Sequence, residues 1–105
     1  MEASDASVTQ SVTNRLRRYY VYVLFSQKDK GLYIGYSTNL KNRILQHSQG
    51  KVQSTKYRRP LTLIHYEYFI DITDAKEREE FLKSGFGREQ LRKSLKRTLS
   101  VLHYL

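Results

Sequence analysis

Cysteine is absent from the 105-residue chain, so disulfides and thiolate-bound metal are excluded, common structural zinc sites among them. Stability must come from packing. No apolar run approaches the ~20 residues that a helical membrane span needs. The opening stretch MEASDASVTQ lacks the basic start and apolar middle of a secretory signal, so the expectation is a soluble cytoplasmic protein with no membrane partner. Carboxylates are missing altogether between Asp29 and Glu67, where Lys30, Lys41, Arg43, Lys51, Lys56, Arg58 and Arg59 are all basic. A second basic block, Arg88, Arg92, Lys93, Lys96 and Arg97, is opposed only by Glu89, and the whole chain carries a net charge of +9. Such an uneven positive field attracts polyanions and makes binding salt-dependent. Nucleic acid leads among specific partners, because no helix pairs a basic face with the Trp or Phe that membrane insertion needs.

What is present reads as one α+β domain, a small three-stranded antiparallel sheet flanked by helices, over residues 17–105, preceded by a flexible polar tail over residues 1–16. Tyr19 to Phe25 is rich in β-branched and aromatic residues and predicts a strand, which the polar Ser26 to Gly31 turns back into a second strand, Leu32 to Tyr36. Strand parity sets Val21, Val23 and Phe25 on one face and Tyr20, Tyr22 and Leu24 on the other. With Ile34 on the valine face, Tyr22 and Tyr33 emerge together opposite it. Ser37, Thr38 and Asn39 favour a helix start, Leu40 to Ser48 continues at helical spacing, and Gly50 is placed to end it. After a basic connection and Pro60, Leu61 to Ile70 predicts the third strand. Asp74 and Glu77 have the spacing of a capping box for a helix carrying Ala75, Arg78, Glu79 and Leu82, which Gly85 or Gly87 ends. A last helix from Arg88 to Leu102 sets Leu91, Leu95, Leu99 and Leu102 on one core stripe.

Arg43 and His47 stand four residues apart on one helix face, and the preceding strand contributes Tyr33 and Gly35, whose missing side chain allows close approach to the backbone. A phenol, a guanidinium and an imidazole beside a glycine gap suit a phosphodiester better than a protein core. Its hydrolysis needs an aligned water, a proton acceptor, positive charge on the phosphoryl oxygens and stabilisation of the leaving oxygen. Tyrosine is a poor base unless cations favour its phenolate, and Arg43 and Lys41 supply cations. A single carboxylate such as Glu79 can hold Mg²⁺, which keeps most of its waters.

Tyr20-Val21-Tyr22, eleven residues before Tyr33-Ile34-Gly35, resembles the paired signature of the GIY-YIG nuclease family. The likeness continues through Arg43 and His47, the Thr55 to Pro60 segment, and Ala75 with Arg78-Glu79 and Leu82-Lys83. It is closest to the small single-domain members, related to the excision-repair nuclease catalytic module. The resemblance implies that Tyr22 activates water or is itself the nucleophile, and that Tyr33 bonds the reacting phosphate or assists in proton transfer. Arg43 then neutralises phosphoryl charge, His47 takes the Tyr22 proton, Glu79 binds one Mg²⁺ or Mn²⁺, and Gly35 holds the turn. The expected activity is metal-dependent DNA cleavage in repair or processing, by a monomer or weak homodimer. Lys41, Lys51, Lys56, Arg58 and Arg59 are the expected DNA contacts, on branched, flapped or single-stranded substrates. The alternatives are a nucleic-acid-binding module of the same fold without turnover, and an interaction domain for an acidic protein. Two departures stand out. Tyr20 replaces the first glycine of the signature, and no asparagine follows Asn42, although some members carry one beyond the metal-binding glutamate.

Overall fold

The middle strand of the sheet is β1, Tyr19–Ser26, flanked by β2, Leu32–Ser37, and β3, Leu61–Phe69, both antiparallel to it. The computed structural model describes residues 16–104, so the tail expected over residues 1–16 lies, but for Leu16, outside the described residues. Being central explains why β1 is buried without a break from Val21 to Ser26. Both edges are hydrogen-bonded and both faces are covered. The hairpin closes through Ser26 N–H to the Gly31 carbonyl at 2.9 Å and Lys30 N–H to the Ser26 carbonyl at 2.8 Å. The left-handed residue of this turn is Lys30, with φ of 62°, rather than the neighbouring glycine.

Val21, Val23, Phe25, Leu32 and Ile34 form the core face, against Ala75 and Leu82 of α2 (Ile72–Lys83) and Leu91 of α3 (Gly85–Ser94). On β3 the register shifts where Val23 pairs with His65 and Leu24 with Leu63. The extra residue, Ile64, turns toward the core. Glu67 pairs with Val21 and so lies on the core face, where Arg78 of α2 grips it with Nε to Oε1 at 2.9 Å and Nη2 to Oε2 at 3.1 Å. This pair ties α2 to the β3 edge and orients the turn of helix that carries Glu79.

The helical boundaries correct three expectations. α2 starts at Ile72, capped by Asp71, whose carboxylate accepts from Thr73 N–H at 2.7 Å and Asp74 N–H at 3.3 Å. Asp71 stands just beyond β3 and takes the cap before the Asp74–Glu77 pair can. Neither glycine ends α2. Ser84 ends it and also caps α3, its hydroxyl accepting from Gly87 N–H at 3.1 Å. The last helix begins earlier than Arg88 and is divided at Leu95 into α3 and α4, Lys96–Tyr104. The bend keeps Leu95, Leu99 and Leu102 packed against the core as the stripe requires.

Helix α1, Leu40–Ser48, lies on the opposite sheet face and ends as expected. Gly50 has φ of +76°, with Gly50 N–H on the His47 carbonyl at 3.1 Å and Lys51 N–H on the Gln46 carbonyl at 3.0 Å, a Schellman motif. The chain therefore doubles back directly after His47.

The two glycines between α2 and α3 should respond oppositely to a methyl group. At Gly87 a Cβ would fall 1.9 Å from the Phe81 carbonyl oxygen, whereas at Gly85 nothing lies within 4 Å. Urea unfolding should find Gly87→Ala destabilised by about 2 kcal/mol or more and Gly85→Ala unchanged within about 0.5 kcal/mol. Equal effects would remove the close approach from the account of how α3 docks.

Candidate active site

Tyr22 does not emerge on an open face. It is 1% exposed, because α1 crosses above it, and its hydroxyl meets His47 Nε2 at 2.7 Å. The other imidazole nitrogen, Nδ1, lies 2.7 Å from Thr55 Oγ1, and both His47 and Thr55 are buried. The Schellman turn makes this possible by bringing Thr55 back under the end of α1. Gly35 is the cross-strand partner of Tyr22, and a Cβ there would fall 2.3 Å from Tyr22 Cζ. The glycine is needed because the phenol ring lies across its backbone.

Burial pushes the Tyr22 phenol up to about 12. The nearby Arg43 guanidinium pulls against this, while the nearby Tyr33 and Glu79 add to the rise. Burial, helped by the Arg43 charge, pulls His47 down to about 4. Both groups are therefore neutral at pH 7, and the pair forms a relay in the tautomer where Tyr22 O–H donates to Nε2 and Nδ1–H donates to Thr55 Oγ1. The result is a buried, fully partnered relay.

Tyr33 shares this face, its ring 6.4 Å from that of Tyr22 and 5.2 Å from His47, and its hydroxyl accepts from Ser54 Oγ at 3.3 Å. Arg43, one turn before His47, donates to Gln46 Oε1 at 3.0 Å and lines a recess with Tyr36, Ser37 and Asn42 at the start of α1. The structure thus brings Tyr22, Tyr33, Arg43, His47 and Gly35 together. Thr55 completes the group. No spacing pattern signals its bond to His47, since the contact exists only once the loop folds back.

Glu79 comes from the helix on the core face. Its side chain is 16% exposed and its Oε2 is held by Lys83 Nζ at 2.9 Å, yet its charge reaches Tyr22 and Tyr36, raising both. Among the described residues no three His, Asp or Glu side chains cluster to cage a metal. A lone carboxylate fits a hard, largely hydrated ion such as Mg²⁺ or Mn²⁺ and does not fit zinc.

Of the basic residues, Lys41 and Lys51 are exposed, and Lys56 lies 4.9 Å from the centre of the exposed Tyr57 ring. Arg58 is engaged by Asp29, with Nε to Oδ2 at 2.6 Å and Nη2 to Oδ1 at 3.2 Å. Arg59 bonds the Lys56 and Ser48 carbonyls at 3.0 and 3.3 Å. These two arginines pin the basic loop to the hairpin turn and to the end of α1.

The three-stranded sheet flanked by helices is a small α+β fold of the kind found in a nuclease family. The model of the GIY-YIG catalytic domain matches residues 18–93, and the chain belongs to that family. A UPF0213 protein of Staphylococcus haemolyticus (strain JCSC1435) is 41% identical over 76 residues, 71% of this chain and 90% of its own. One from Pediococcus acidilactici is 40% identical over 79 residues, 70% of this chain and 78% of its own. A third, from Streptococcus pyogenes serotype M5 (strain Manfredo), is 40% identical over 75 residues, 70% and 80% respectively. Their names state no activity. No solved structure gives a significant match.

The buried imidazole makes stability depend on pH. Because folding lowers His47 from its ordinary 6.5 to about 4, the unfolded chain binds the proton more readily. Stability is complete above about 6.5 and falls as pH drops from there toward 4. Urea unfolding should show a loss of about 2 kcal/mol between pH 7 and pH 5, absent in His47→Gln. Asp29 and Glu67 are held below their ordinary values, so they act below this window. An equal loss in the variant would mean that another group carries the effect.

Proposed function

We propose that the protein is a divalent-metal-dependent endonuclease that hydrolyses phosphodiester bonds of DNA in the cytoplasm, in repair or processing, as a monomer or weak homodimer. The observation that carries this reading is the buried Tyr22–His47 hydrogen bond, at 2.7 Å, with the nearby Arg43 charge favouring the phenolate. A phenol held protonated can accept a proton from water only if it gives up its own at the same time. His47 Nε2 is the acceptor in place. As the water oxygen bonds phosphorus and the bond to the 3′ oxygen breaks, the water proton passes to Tyr22 and the Tyr22 proton to His47. The leaving oxygen takes a proton from solvent. If Tyr22 itself attacks, His47 receives the same proton. Thr55, accepting from Nδ1–H, keeps Nε2 free for this, and Arg43 neutralises charge growing on the phosphoryl oxygens. Tyr33, whose hydroxyl accepts from Ser54, keeps its own O–H free to donate to the phosphate. Glu79 would hold the Mg²⁺ or Mn²⁺, which supplies Lewis-acid stabilisation of the leaving oxygen.

Lys41, Lys51 and Lys56 supply charge for the DNA backbone, and Arg58 and Arg59 hold their loop in place while adding to its field. The Glu79–Lys83 ion pair favours a second reading, a binding module without turnover, in which Lys83 keeps the carboxylate from any metal.

Plasmid and branched oligonucleotides, incubated with Mg²⁺, Mn²⁺ or EDTA, separate the two. Metal-dependent nicking should fall about 100-fold or more in Tyr22→Phe, Arg43→Ala and Glu79→Ala. Glu79→Ala should bind DNA at least as well as wild type, having lost a negative charge near phosphate. DNA binding without cleavage in the wild-type protein would establish the module instead.

A further inference from the structure

The sheet face that carries Tyr22 is only half covered. α1 covers Tyr22 and packs against part of β3, but leaves Tyr66 51% and Tyr68 48% exposed on that strand. Tyr66 is the cross-strand partner of Tyr22, and Tyr68 that of Tyr20. Tyr20 sits between the two exposed rings, its centroid 6.1 Å from each. Arg18 adds a guanidinium 5.2 Å from the centre of the Tyr68 ring. Three phenols and a cation therefore form a surface directly beside the buried relay.

We propose that this surface is a base-stacking platform for single-stranded DNA, which makes strands with unpaired bases, rather than blunt duplex, the substrate class of the Tyr22 site. The proposal rests on the nuclease reading for its use and on the following observations for its occupant. Exposed aromatic rings on a sheet offer π-faces, and only unpaired bases have faces free to meet them. Tyr66 and Tyr68 are two residues apart on one strand, ~7 Å, comparable to one step of an extended polynucleotide. The charge pattern is complementary to phosphate. Glu67 is the only carboxylate in the three strands, and it faces the other side of the sheet, neutralised by Arg78. Arg18 lies at the Tyr68 ring, and the Arg43 charge is felt at Tyr22, the cross-strand neighbour of Tyr66. An acidic protein surface would find charges here but no use for three adjacent rings.

Binding is measured in EDTA by fluorescence anisotropy, with labelled oligothymidylate, a blunt duplex of equal length and an abasic strand. The wild-type protein should prefer the single strand over the duplex, and the Tyr66→Ala/Tyr68→Ala double variant should reduce that preference about tenfold or more. Tyr66→Phe/Tyr68→Phe, which keeps the rings, should retain it. The abasic strand should bind wild type no better than oligothymidylate binds the alanine variant. Circular dichroism checks that both variants fold. An unchanged preference in the alanine variant, or an equal loss in the phenylalanine variant, would overturn the platform. Cleavage of duplex and single strand at equal rates would also overturn it and leave the nuclease reading standing. Preferential binding of single strands without cleavage of any substrate would leave the platform and remove the nuclease.

Discussion

The hydrogen bond between the Tyr22 hydroxyl and His47 Nε2 constrains almost everything around it. A phenol and an imidazole, both about 1% exposed, are tolerable in a core only if every polar atom is partnered. That requirement accounts for Thr55 at Nδ1, and through Thr55 for the tight reversal after α1. It accounts for Gly35 as well, since the ring reaches His47 only by lying across a residue without a Cβ. A left-handed glycine at one end of α1 and a bare glycine on β2 thus serve the same contact.

The two faces of the sheet divide the work. The valine face makes the core, and α2 is fastened to it by apolar contacts and by the Arg78–Glu67 pair at the β3 edge. The tyrosine face holds the polar relay beneath α1. Glu79 belongs to the first face by its helix and to the second by its charge, which is felt at Tyr22. Its carboxylate is reserved by Lys83, so a cation must compete for it. This arrangement suits a weakly held, hydrated ion better than a resident one.

Opposite shifts at the two ends of one hydrogen bond also set its chemistry. Burial penalises phenolate and imidazolium alike, so the uncharged pair is the resting state. Arg43 is the one group in the cluster whose charge favours the phenolate.

Composition and pattern alone determined the class of fold and most of the cluster. Alternation in β1 and β2 put Tyr22 and Tyr33 on one face, and helical spacing put Arg43 with His47, because these periodicities are local consequences of backbone geometry. The leucine stripe from Leu91 to Leu102 was equally legible, although not the bend at Leu95. Helix ends were less so, since Asp71, Ser84 and Asp74 all suit a cap and only the docked chain chooses among them. Tertiary structure alone decided that Tyr22 is buried rather than open, that Thr55 partners His47, and that Asp29 and Arg58 are bound to each other across the hairpin turn. Each of these joins residues eight or more apart in sequence, through turns that no local periodicity specifies. The energy of such a contact depends on which other surfaces exclude water from it, and no local pattern carries that information.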